Sequence, residues 1–182
     1  MIKQMRDAES DAVLAVADMM VAAAHTAPKA SGQDKVVTAV ITGPEKDELA
    51  RAMKKIANRE DAAFIARDAE NVENSTAVVA FGVRAQPFGL THCSYCGFRD
   101  CRDMKQHGAD CALNITDLGI AIGSAVSVAA HHHIDNRVMF SVGKGIHAMK
   151  IFPSDVTVCY GIPLSTKSKS IYFDRGPGSV LF

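Results

Sequence analysis

Cys93, Cys96, Cys101 and Cys111 follow one another as C-x2-C-x4-C-x9-C, while the fifth cysteine, Cys159, stands alone near the far end of the chain. Thiolates grouped this closely in one loop-like segment commonly share a metal centre. Iron–sulfur clusters take four thiolates, several of them from a short loop wrapped around the cluster. Gaps of two and four residues suit that wrapping, and Cys111, where a helix opens, can supply the fourth sulfur. The helix N-terminus would favour a negatively charged cluster. Structural zinc more often uses two separated C-x2-C pairs, and only one such pair is present. His92 beside Cys93 and His107 ahead of Cys111 leave a mixed Cys/His zinc site open, as do unligated redox thiols. The spacing favours a [4Fe-4S] cluster, with zinc as the alternative metal. Cys159 lies among β-branched residues and is expected to be a buried, inert thiol.

Other residues with chemical potential carry less. His131, His132 and His133 are consecutive, and neighbours on a helix point about 100° apart, so they cannot converge on one ion. They read as a helix end. Ser141 to Gly145, Ser-Val-Gly-Lys-Gly, has a faint look of a phosphate loop. It lacks the full G-x4-G-K-[ST] pattern and a preceding strand. Asn114 and Asp117 share one face of an apolar helix and read either as a polar pair orienting the cysteine segment or as caps of the helix start.

The elements that must position these residues are legible from periodicity. A helix is expected from about Asp7 to His25, ended by Thr26-Ala27-Pro28. A polar loop from Lys29 to Lys35 leads into a β-branched strand, Val36 to Ile41. Pro44 and the acids Glu45, Asp47 and Glu48 open a second helix, and a weaker third runs from Asp61 to about Ala69. Ala77 to Val83, apolar on both faces, is expected to be a central strand. The cysteine segment, residues 91–111, shows no helical or strand pattern of its own. A long small-residue helix follows it, in which Gly119 and Gly123 leave one face without side chains. A helix from Arg137 to Lys150, a strand from Val156 to Tyr160 and an edge strand at Ile171 to Phe173 complete the pattern.

The 182 residues carry 20 basic and 20 acidic side chains, and 48% are hydrophobic. This is one domain, residues 1–182, with enough apolar content for a core. Zero formal charge argues against nucleic acid as a partner. The apolar stretch from Cys111 to Ala130 is interrupted by Asn114, Thr116 and Asp117, so a buried helix is expected and no membrane span. The opening MIKQMRDAESD lacks the apolar core of a signal peptide, and free thiols in the cytoplasm are the expectation.

Two resemblances then appear. The C-x2-C-x4-C run with a later cysteine resembles the four-iron segments of ferredoxin-type redox proteins. Ala23-Ala24-His25-Thr26-Ala27-Pro28-Lys29-Ala30-Ser31-Gly32-Gln33, followed by strand Val36–Ile41 and helix Glu45–Ile56, resembles the helix, flavin-contacting loop, strand and helix of nitroreductase-like flavoproteins. The helix Ala112–Ala129 looks like that fold's central helix. Tyr160-Gly161-Ile162-Pro163 with Lys167 and Arg175 looks like its closing strand, turn and basic tail. The combination resembles the uncharacterised ferredoxin-domain family. It implies an α+β fold: a nitroreductase-like layered domain with a cysteine-rich insertion, and a homodimer. It also implies FMN held near Lys29, Ser31, Gly32 and Gln33, with Lys167 or Arg175 on its phosphate. The N-terminal segment offers only Lys3 and Arg6 for that phosphate.

The expected function is a cytoplasmic iron–sulfur redox or electron-transfer protein, flavin-assisted if FMN binds, in which case it would be a nitroreductase-like oxidoreductase. The alternatives are a non-enzymatic zinc-stabilised domain and a cluster-binding sensor or scaffold. Substrate, electron donor and electron acceptor are not written in the sequence.

Overall fold

A computed structural model describes residues 2–173. In chain order the elements are α1 (Met5–Thr26), a 3-10 turn (Ala30–Gly32), β1 (Val36–Ile41), α2 (Gly43–Glu60), α3 (Ala63–Glu73), β2 (Ala77–Arg84), α4 (Cys101–Gln106), α5 (Ala112–His131), β3 (Asp135–Asn136), α6 (Phe140–Ala148) and β4 (Val156–Ser165). The strands form one antiparallel sheet in the order β1-β2-β4-β3. Strand β2 pairs on both sides, Val36 with Val83 on one edge and Ala77 with Leu164 on the other.

Alternation along β2 divides the core in two. Ala77, Val79, Phe81 and Val83 face a layer with α1 and α5. Val78 and Ala80 face a layer with α2, α3 and α6. Phe81 is fully buried, which stabilises the fold by about 1.5–3 kcal/mol relative to exposure. Helix α2 has Pro44 in its first turn and stops at Asp61, whose left-handed backbone (φ 48°) turns the chain, as helices commonly end. On the second layer, α6 lies directly on β4: a Cβ at Gly143 would sit 1.9 Å from the carbonyl oxygen of Cys159.

Helix α5 alone, among the described residues, is long and apolar enough to cross a membrane. It packs along α1 and the sheet, with Leu118, Ala121, Ala125 and Ala129 in the core. Asn114 and Asp117 are buried with them.

Four expectations need correction. The cysteine segment contains a helix, α4, because Asp100 caps it: its side chain accepts from the N–H groups of Arg102 and Asp103, both at 2.9 Å. The helix expected from Arg137 begins only at Phe140. Before it, Asp135–Asn136 pair with β4 and Met139 bridges Gly161, so Val138 is exposed rather than on the buried face. Gly161-Ile162-Pro163 is not a turn, because β4 runs on to Ser165. Gly161 exchanges hydrogen bonds with Met139, so Pro163, two residues on, aims its missing N–H toward that same side. It falls in the gap between this bridge and β3, where no ladder bond is lost. Finally, Ile171–Phe173 is not a strand. Tyr172 instead buries its ring and shares a 2.8 Å hydrogen bond with Ser75.

Candidate metal centre and flavin loop

The four clustered cysteines are carried by the connection from β2 to α5. After Arg84 the chain leaves the sheet, with Arg84 itself paired to Asp155 at 2.6 Å. A turn closed by Gly97 N–H on the Ser94 carbonyl, 2.9 Å, carries Cys96 and lies between Cys93 and Cys101. Gly97 leaves it in left-handed backbone (φ 81°), which glycine adopts without steric cost. Cys101 is the first residue of α4. The chain then reverses at Gly108, and Cys111 caps α5.

Cys93, Cys96, Cys101 and Cys111 all line one small cavity of about 20 Å3, walled by Leu90, Phe98 and Met104. Neither His92 nor His107 lines it. His107 stacks on Phe98 with centroids 5.3 Å apart and bonds the Asp103 carbonyl through Nδ1 at 2.9 Å. Ser94, Tyr95 and Asp100 also line it, and the Asp100 carboxylate is engaged as the cap of α4, so four thiols and no imidazole face the cavity. Among the described residues no three Cys, His, Asp or Glu side chains already stand in ligating geometry. Metal capture would draw the sulfurs inward. The N–H groups of Asp103 and Arg102, with the Arg99 guanidinium, hold the Asp100 carboxyl below the usual carboxylate range, so the cap persists under mildly acidic conditions. Cys159 is elsewhere, buried in β4, and burial pushes its thiol up to about 11. It stays a neutral thiol at physiological pH.

The loop is fastened at its start. Asn114 Nδ2 donates to the carbonyls of Arg84 (3.1 Å) and Gln86 (3.0 Å). Lys35 Nζ donates to the same Gln86 carbonyl at 2.6 Å and stands 3.5 Å over the Phe88 ring. The Oδ1 of Asn114 is buried without a partner, which costs about 1–3 kcal/mol. Lys35, Gln86 and Phe88 carry no sequence signal, since only the tertiary pairing of Lys35 with Arg84 brings them together.

One turn beyond Asn114, Asp117 holds the second segment of interest. Its carboxylate accepts from Ala30 N–H at 3.0 and 3.1 Å. Ser31 and Gly32 follow in left-handed backbone (φ 54° and 64°), and Ser31, Gly32 and Gln33 are exposed. Lys29 differs. Its Nζ turns back onto the carbonyls of Ala24, His25 and Ala27, at 2.7, 2.7 and 2.9 Å, and caps α1. The cysteine cavity and the Lys29–Gln33 loop thus share one end of the sheet, both tied to the first turns of α5.

Lys167 is not brought to that loop. It follows the end of β4 that pairs with Ala77, the opposite end of the sheet, and its Nζ donates to Asn74 at 3.2 Å. There it lines an open groove with Arg6, Ser10, Thr76 and Lys169. Arg6 and Lys169 were not singled out as a pair with Lys167 by sequence. Arg175 lies outside the described residues.

Residues 107–175 match a family model described as an uncharacterized protein containing a ferredoxin domain. An uncharacterized protein of Archaeoglobus fulgidus is 37% identical over 185 residues, covering 97% of this chain and 99% of that relative. The chain belongs to this family of ferredoxin-domain proteins. The matched family region contains Cys111 but begins after Cys93, Cys96 and Cys101. Among solved structures, the FMN-dependent nitroreductase NfnB from Mycobacterium smegmatis, determined with NADPH, superposes with a TM-score of 0.59 at 11% identity. That likeness covers 84% of this chain and 77% of NfnB. A nitroreductase family protein from Clostridium novyi NT gives 0.54 at 17% identity, over 94% and 80%. NfrA2 of B. megaterium gives 0.55 at 12% identity and 85% coverage of this chain. This ferredoxin-domain protein spans 58% of the length of NfrA2. The shared fold is that of nitroreductases, as the sequence resemblance implies.

Proposed function

We propose that this ferredoxin-domain protein is a cytoplasmic redox protein that carries one [4Fe-4S] cluster on Cys93, Cys96, Cys101 and Cys111. The observation that supports it is that all four clustered cysteines, and no histidine, line a single cavity at the start of α5. Four thiolates and no histidine favour a cluster over a mixed zinc site, and the domain then moves single electrons. The cysteine segment is an insertion in one domain, between β2 and α5.

FMN is the second group in this reading. Bound, it would couple two-electron to one-electron chemistry. The exposed backbone of Ser31, Gly32 and Gln33 is approachable at an element junction. The groove of Arg6, Lys167 and Lys169 has the positive charge and hydroxyls a phosphate needs. Lys29 serves α1 instead. The loop and the groove sit at opposite ends of one sheet, so both can touch one flavin only if they come from two copies. A homodimer follows from the reading. Anaerobically purified protein should contain iron and acid-labile sulfide, absorb in the visible, and quench FMN fluorescence. Zinc without sulfide would replace this reading with that of a zinc-stabilised domain. No quenching at tens of micromolar protein would leave the cluster as the sole redox centre.

Helix α5 supplies the dimer face. Thr116, Gly119, Ile120, Gly123 and Ser127 are exposed and uncharged, and nothing lies within 4 Å of a Cβ built at either glycine. Such a surface admits a second backbone closely. Sedimentation equilibrium should give twice the chain mass at micromolar concentration, and a monomer there would refute the assignment.

A further inference from the structure

We propose that Lys35 and Asn114 are positioning residues of the four-cysteine site, acting on its sulfurs through the Gln86–Phe88 segment; the inference rests on reading those cysteines as metal ligands. Both side chains are buried, Lys35 at 8% and Asn114 at 1% exposure. Both donate to one backbone carbonyl, that of Gln86. Asn114 also holds the Arg84 carbonyl and sits three residues after Cys111. The clamp therefore ties the origin of the loop bearing Cys93 and Cys96 to the helix whose cap is Cys111. Lys35 adds a contact onto the Phe88 ring, two residues before Leu90 enters the cavity wall.

The charge of Lys35 makes the assignment sharper. Buried lysines are rare unless paired, and among the described residues Lys35 has no carboxylate within ion-pair distance; its contacts are a carbonyl and an aromatic face. Held on the Gln86 carbonyl and the Phe88 ring, the buried ammonium fixes the backbone from which the cysteine loop starts. Partners bonded directly to metal ligands typically carry about 10–100-fold of metal affinity; Lys35 and Asn114 act one step further out, on the backbone that leads to Cys93, so the low end of that range is expected.

Co2+ alone is the probe, titrated into the full-length metal-free protein, because thiolate-to-cobalt charge transfer reports how many sulfurs engage whatever the native metal. Lys35→Met, which keeps the stem over Phe88, and Asn114→Leu, which keeps the volume, should each weaken Co2+ binding about 10-fold. The charge-transfer intensity per bound cobalt should also fall, as fewer sulfurs converge. Cys159→Ser should leave both unchanged. The urea midpoint of each metal-free variant is measured alongside. A lowered midpoint with wild-type Co2+ affinity and intensity would make the two residues purely structural and overturn the proposal. If Asn114→Leu fails to fold, Lys35→Met decides alone. Absence of thiolate charge transfer in the wild-type protein would instead sink the four-cysteine reading, and the proposal with it.

Discussion

Replacing Cys96 by Ser should bleach a brown protein, while Cys159→Ser should leave its colour intact. Cys96 lines the cavity with the other three clustered cysteines. Serine removes one of four sulfur ligands and leaves a harder, poorer donor for iron. Cys159 is buried behind the α6–β4 contact, with its thiol raised to about 11 by burial, so it is neither accessible nor a ready thiolate. The visible spectrum of anaerobically purified variants checks this. Equal bleaching by both substitutions would remove the four-cysteine assignment.

Gly143→Ala should be the most damaging small substitution in the second core layer. The added methyl would meet the Cys159 carbonyl oxygen at 1.9 Å and its carbon at 2.6 Å. These are backbone atoms of a strand paired along β2, so they cannot rotate away as a side chain would. Helix α6 must lift from the sheet, loosening Val142 and Ile146 from their fully buried positions. Overpacking of this kind costs about 1–3 kcal/mol and occasionally more, and a backbone clash belongs at the upper end. The unfolding free energy from urea denaturation should fall by that much, or the variant should be insoluble. An unfolding free energy within about 0.5 kcal/mol of wild type, the range of an ordinary surface change, would contradict the packing. The same observation disposes of the phosphate-loop look of Ser141 to Gly145. Ser141 is buried on Asp68, Gly143 faces Cys159 and Gly145 faces Leu49 and Met53, so the glycines serve close packing.

What the sequence made legible was whatever depends on neighbours in the chain. Val36–Ile41 is a short run of mostly β-branched residues and is β1 to the residue. Pro44 marks the start of α2, and the unbroken apolar run at Ala77 identified a strand buried on both faces. The cysteine spacing likewise announced residues that the fold gathers round one cavity. Helix α4 was missed because six residues are too few to show a period; its signal was the single cap Asp100. The extension of β4 through Pro163 was missed because proline reads locally as a turn, and only the gap in pairing beside β3 makes it tolerable. Lys29 looked like a ligand to an anion because sequence cannot show three helix carbonyls turned toward it. Lys35 looked like loop because its partners are 51 positions and more away.

The attachment of the cysteine segment to α5 has a consequence for how its length can vary. Gln86 is fastened to Asn114, and Cys111 caps the same helix one turn earlier. The residues between leave and return within a single helical turn, so the chain entropy of closing that loop is met by the fold whether or not a metal is present. What remains for the metal is to order the interior. For a flexible loop, doubling the length adds only about 0.6 kcal/mol to the closure term. Insertions between Phe88 and Cys93, or between Gln106 and Asp110, should therefore leave the scaffold nearly unchanged in stability while altering only how the four sulfurs are presented.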